Sequence, residues 1–284
     1  MILPSPSPGF LTAAEAEAPA FVYALGRIEP RFPNAAVAAA VVEALRRSNG
    51  ENLNGQRTLS LLSESENRHL LRQVCWVLSG QGAPRYLLQL ASLADFDALI
   101  DRFRASRRPT EVDVVIGRCS PVAAPEMAPR SVTRVAVEQL NRLDVRALIQ
   151  ALPRPLRMVH GRSAAAEQLF TTIEQLPHNR GTSDEHRALN YLVAHSTAVY
   201  ANVADCYARD ALLTGISTRL PEHGGRRLVD VVLSYASRRT EVREHYLVRV
   251  DVSETFPFLE TPLAPFFDRS LNGFRPLDGF RAWA

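Results

Sequence analysis

Lysine is absent: each of the 33 basic side chains among the 284 residues is an arginine. Two readings of this stand open. One is a GC-rich coding bias, which the abundant alanine supports. The other is selection for planar forks that grip carboxylate or phosphate. Long apolar runs are missing too. No stretch approaches the roughly 20 apolar residues that a membrane helix needs, so no membrane partner is expected. There are no blocks of like charge, and the net charge is only +3. That pattern excludes the basic footprint of a nucleic-acid binder. Cysteine is scarce, and Cys75, Cys119 and Cys206 are scattered and odd in number. This argues against a disulfide framework and for buried thiols in a reducing compartment, so a cytoplasmic location is expected.

Familiar reaction motifs are also lacking. There is no Gly-x-Gly-x-x-Gly, no P-loop, no Gly-x-Ser-x-Gly elbow, no Cys-x-x-Cys and no His-Glu-x-x-His. No cofactor and no metal are therefore expected. The opening residues lack the basic start and apolar core of a secretory signal. Their alternating Ser-Pro reads as an extended arm over residues 1–20.

Periodicity places the elements of an α+β fold, with mixed and antiparallel strands interleaved with helices. Phe21 to Leu25 reads as a strand, broken by the prolines of Arg27 to Pro33. Asn34 caps a helix that ends near Arg47. Val74 to Leu78 and Tyr86 to Leu90, separated by Gly80, Gly82 and Pro84, read as a β-hairpin. Phe96, Leu99, Ile100 and Phe103 have helical spacing, and Val112 to Gly117 returns to strand. Pro121 to Pro129 marks a sub-boundary near 121–130 inside a single domain over 21–269. Helices are expected at Ser131 to Leu140, Val145 to Leu152 and Ala164 to Leu176. One long helix near 184–209 follows, capped by Ser183. Strands at Ala211 to Thr218, Leu228 to Ser234 and Tyr246 to Val252 come next, and then a tail over 270–284. Trp76, Phe256, Phe258, Phe266 and Phe267 are expected in the core.

Three constellations could carry chemistry. Asp184, Glu185 and His186 open a helix, with Arg187 and Asn190 one turn on. His186 is the catalytic candidate, with Asp184 and Glu185 beside it. The alternative is a capped helix start with a charged surface. Arg27, Glu29 and Arg31 share one face if the backbone there is extended. They would form either an ion cluster or a fork for a carboxylate. Arg249 and Asp251 alternate with valine on a strand and share a face.

Several of these runs also carry a resemblance. Phe21 to Pro33, Arg72 to Leu78, Asp113 to Gly117, Ala124 to Met127, Asp184 to Leu192 and Asp230 to Leu259 recur in order. They resemble the C-terminal domain of the cyanobactin maturation protease family, PatA/PatG, over nearly the whole chain. No protease triad motifs accompany them, so the chain is expected to be a standalone version without the subtilisin-like protease domain. The resemblance implies an accessory protein in the biosynthesis of ribosomally made, modified peptides. Its partners would be a precursor peptide, a tailoring enzyme or both. Arg27, Glu29, Arg31, Arg187, Asn190, Arg249 and Asp251 are then candidate peptide contacts. A peptide-modifying enzyme that uses the Asp184–Arg187 cluster, and a homodimerisation module, are the alternatives.

Overall fold

The computed structural model describes residues 20–47, 64–104, 108, 111–120, 132–152, 161–240, 242–267, 271 and 273–277. The arm before Ala20 and the boundary expected near 121–130 lie outside the described residues.

The first half is a closed barrel. Strand β1 (Phe21–Arg31) pairs antiparallel with β2 (Cys75–Gly80) and β4 (Glu111–Cys119). Strand β3 (Ala83–Gln89) forms the expected hairpin with β2, and β5 (Thr133–Asp144) closes the ring between β3 and β4. The hairpin turns on Gln81 (φ 53°) and Gly82 (φ 75°). Positive φ at both central positions matches the twist of the flanking strands.

Two sequence expectations are corrected here. First, β1 does not break before its prolines but runs through Pro30 to Arg31. Its β4 partners end at Gly26, and from Arg27 onward it pairs only with β2 among the described residues. A residue with no N–H is tolerated where one side of the strand has no ladder. Second, the described part of the helix expected over Ser131 to Leu140, residues 132–140, is not helical. Residues Thr133–Asp144 form β5, which has neighbours on both sides. Ladder partners distant in sequence override a weak local preference.

Helix α1 (Ala35–Arg47) begins as expected, with Asn34 Oδ1 accepting the Val37 N–H at 2.8 Å. Helices α2 (Arg68–Leu71) and α3 (Leu93–Arg104) follow. With α1 they contribute to a core that draws on all five barrel strands, including Val22, Trp76, Leu78, Tyr86, Val115 and Val135.

The second half is helical, then β. Helix α4 (Val145–Gln150) starts on Asp144, whose carboxylate accepts the Arg146 and Ala147 N–H groups. Helices α5 (Arg162–Glu174), α6 (Asp184–His195) and α7 (Thr197–Ala208) follow. The single long helix expected over 184–209 is therefore two. Ser196 leaves helical geometry at φ −90°, ψ 92°, and its hydroxyl accepts the Val199 N–H at 3.4 Å. A serine that can bond its own backbone favours a cap over helix continuation.

An antiparallel sheet completes the fold. Its order is β10 (Phe258–Phe266), β9 (Arg243–Asp251), β8 (Arg226–Ser237), β6 (Ala211–Arg219) and β11 (Arg275–Pro276), with β7 (Glu222–His223) paired beside β8. The sequence reading had no strand at β10. A larger core joins Tyr23, Leu25, Val114 and Ile116 of the barrel to Leu189 and Val193 of α6 and to Val231 and Val250 of the sheet. Helix α6 thus lies between barrel and sheet. Among the described residues no helix is long and apolar enough to cross a membrane, and the three cysteines are free.

Candidate functional site

The run from Asp184 to Asn190 turns mostly inward. Ser183 Oγ accepts the His186 N–H at 3.2 Å, which starts α6. Asp184 receives Arg227 from β8 in a two-armed ion pair. Arg187 is wholly buried. Its guanidinium donates to the carbonyls of Val252 (2.6 Å), Glu254 and Thr255 (3.3 Å), and it lies 4.9 Å from the centre of the Phe21 ring. Burial, then the nearby Arg227 charge, brings its pKa down to about 10. It stays charged at neutral pH and ties the barrel, α6 and the segment after β9 together.

Asn190, one turn further on, is buried as well. It donates to the Tyr23 carbonyl at 2.8 Å and exchanges amide hydrogen bonds with Asn179 at 2.8 and 3.1 Å. Arg187 and Asn190 therefore hold the domain together and are out of reach of a peptide. His186 is half-buried, and burial lowers its pKa, with Glu185 opposing the shift and Arg85 and His178 adding to it. With Asp184 and Arg187 occupied elsewhere, the structure does not converge this cluster on one reacting point. Among the described residues no group of three or more His, Cys, Asp or Glu is placed to hold a metal ion.

The other candidates fall on separate faces. Arg27, Glu29 and Arg31 do sit on an extended strand. Arg31 pairs with Glu29 at 3.2 Å, and Ser79 donates to the same carboxylate at 3.3 Å. Arg27 lines a small cleft of 180 Å³ with Arg146, Glu167 and Glu174. On the sheet, Arg249 and Arg219 clamp the buried Asp230 from two sides, at 2.5 to 3.0 Å. Asp251 binds Arg226, which also grips Glu260 of β10. Arg249 and Asp251 are thus members of ion pairs between strands. The seven candidate contacts are thus divided among β1, the buried side of α6 and β9.

Sequence reasoning missed a surface at the sheet edge. Phe256, Phe258, Leu259 and Phe267 were expected inside or passed over, yet they are 46, 45, 40 and 88% exposed. Strand β10 is terminal in the sheet order and pairs only with β9 among the described residues. Its ladder shifts register twice, between Leu259 and Thr261 and between Thr261 and Ala264. Period-two exposure could not reveal this strand, because nearly all of its residues face solvent.

Family comparison agrees with this architecture. The family model described as PatG Domain matches residues 21–211, and that described as PatG C-terminal matches 160–266. The chain belongs to the PatG domain family. A solved structure described as "PatG Domain of Unknown Function" aligns with a TM-score of 0.68 at 19% identity, over 87% of this chain and 98% of that one. At that identity the likeness establishes the fold alone. No curated protein matches the chain. PatG-family membership bears out the resemblance carried by the ordered runs and associates the protein with cyanobactin biosynthesis. The run that opens α6 is, within this PatG-type fold, a structural clasp.

Proposed function

We propose that this protein is a non-catalytic, cytoplasmic accessory protein of cyanobactin-like peptide biosynthesis. It binds the precursor peptide, or an extended segment of a partner enzyme, along the open edge of β10. The observation that carries the reading is the exposed apolar edge itself: Phe256, Phe258 and Leu259 stand in solvent at a strand with one neighbour among the described residues. Such an edge can take an added strand through its backbone, with side-chain contacts giving selectivity. Pro262 and Pro265 have no N–H to donate, so strand addition is confined mainly to the Phe258–Thr261 stretch. Arg27 and Arg31 remain at the surface as secondary contacts.

Titrating the purified protein with the precursor peptide encoded beside its gene tests this. Binding with a Kd below about 100 µM is expected, weakened by Phe258→Ser with Leu259→Ser. No binding at high micromolar peptide would remove the proposal. Co-expression with precursor, read by mass spectrometry, addresses the enzymatic alternative. A mass change lost in His186→Ala would favour catalysis at the start of α6.

A further inference from the structure

A cleft of 780 Å³ opens where the end of β10 meets the start of β9. Val242, Pro265, Phe266 and Phe267 supply its apolar part, and Arg243 and His245 its polar part. Val242 and Phe267 are 58 and 88% exposed, so much of this apolar surface stands in water. Two elements of the cleft are held in place. The Phe266 ring packs edge-on against Phe274, 5.7 Å between centres. His245, opposite Phe266 in the ladder, has its Nδ1 2.9 Å from Ser234 Oγ.

The charges of the cleft are unequal in their engagement. Glu244 is met by Arg209 at 2.9 and 3.0 Å and by the Tyr246 hydroxyl at 3.1 Å. Arg243 is exposed and forms no ion pair or side-chain hydrogen bond among the described residues. With Glu244 already neutralised, the cleft presents, among the described residues, one uncommitted arginine beside an apolar cavity. A ligand complementary to both parts has a bulky apolar side chain and a carboxylate next to it.

We infer that this cleft is the anchor site for an extended peptide. It takes an aromatic or large aliphatic side chain in the Phe266–Phe267 cavity and an adjacent carboxylate on Arg243. The inference rests on the proposed role of β10 as a peptide-binding edge and names the chemistry that fixes the peptide's register. The carboxylate is either a peptide C-terminus or an Asp or Glu side chain next to the anchor.

Fluorescence anisotropy with the full chain tests it, using a fluorescein-labelled Gly-Ser-Thr-Val-Thr-Phe probe. The probe is made as the free acid, as the C-terminal amide, as the amide with Asp before Phe, and with Gly in place of Phe. Arg243→Gln and Phe267→Ser lie at exposed positions, and circular dichroism checks their folding. The free acid is expected to bind about tenfold tighter than the plain amide, the scale of one charge-assisted hydrogen bond. Arg243→Gln should remove that difference, and both the Gly probe and Phe267→Ser should weaken binding. Recovery of affinity in the Asp-containing amide assigns the carboxylate to a side chain, and its absence assigns it to a C-terminus. Equal binding of acid and amide, or binding indifferent to Arg243→Gln, overturns the inference. If probes bind but respond only to Phe258→Ser with Leu259→Ser, the edge reading stands without the anchor. If no probe binds up to about 1 mM the anchor falls, while precursor titration still judges the edge.

Discussion

Asn190 and Asn179, eleven residues apart and both buried, hydrogen-bond to each other in both directions. Asn190 gives its second amide hydrogen to the Tyr23 carbonyl, 167 positions away in sequence. Through this pair the turn before α6 is locked to the first barrel strand. Asn190→Asp would place an oxygen against the Tyr23 and Asn179 oxygens and bury an unpaired charge. A loss of about 3 kcal/mol or more is expected, and Asn190→Ala should cost less. Urea denaturation measures both. An aspartate variant as stable as the parent would show that this contact is not what holds the junction.

Gly181 stands at the same junction. Its φ is +75°, and the Tyr23 N–H donates to its carbonyl at 2.8 Å. A methyl group added there would lie 2.1 Å from the Tyr23 oxygen, a backbone atom that cannot step aside. Gly181→Ala combines left-handed strain with this clash, so a loss above about 2 kcal/mol is expected. Thermal melting reads it. Gly224→Ala is the control, at φ +45° with open space around it, and should show a smaller loss.

Arg187 leaves three carbonyls unpaired when it is removed. Two of them, of Val252 and Thr255, are buried, and each buried orphan costs about 1–3 kcal/mol, so Arg187→Ala should cost about 2 kcal/mol or more. Arg187→Lys should recover only part of this, because one ammonium cannot reproduce a planar fork. Full recovery by lysine in chemical denaturation would show that charge alone, not fork geometry, is what matters.

Asp230 makes stability depend on acid. Burial by itself would raise its carboxyl pKa, but the hydrogen bonds from Arg249 and Arg219 outweigh that and hold it below its ordinary value. The ionised form is therefore favoured by folding. Its stabilisation is complete above the unfolded-state pKa of about 3.9 and is lost as pH falls through the lower folded value. Melting temperature should drop below about pH 4. Asp230→Asn should flatten that part of the profile while lowering stability at neutral pH. An unchanged acid slope in the variant would rule out this origin.

Local pattern carried a good part of the fold. The caps at Asn34 and Ser183, the Gly-containing turn after β2 and the helical spacing around Leu99 all appear where short-range chemistry placed them. The recurrence of uncommon runs in order was enough to point to the family. The site was far less legible. The residues Asp184 to Asn190 read as a charged helix face, and only their partners showed that Arg187 and Asn190 are internal.

By itself the sequence determined the α+β class, most helix positions and the PatG-type kinship, because caps, turns and periodicity act over a few residues. Tertiary structure decided the rest. It made Thr133–Asp144 a strand by giving it two ladder neighbours. It left Phe256, Phe258 and Phe267 in solvent. It also consumed Arg187 and Arg249 in internal contacts while leaving Arg243 uncommitted among the described residues. A side chain's burial and partners depend on residues brought together across the chain, 19 positions apart for Arg249 and Asp230 and 65 for Arg187 and Val252. Residue type and spacing carry no record of that distance.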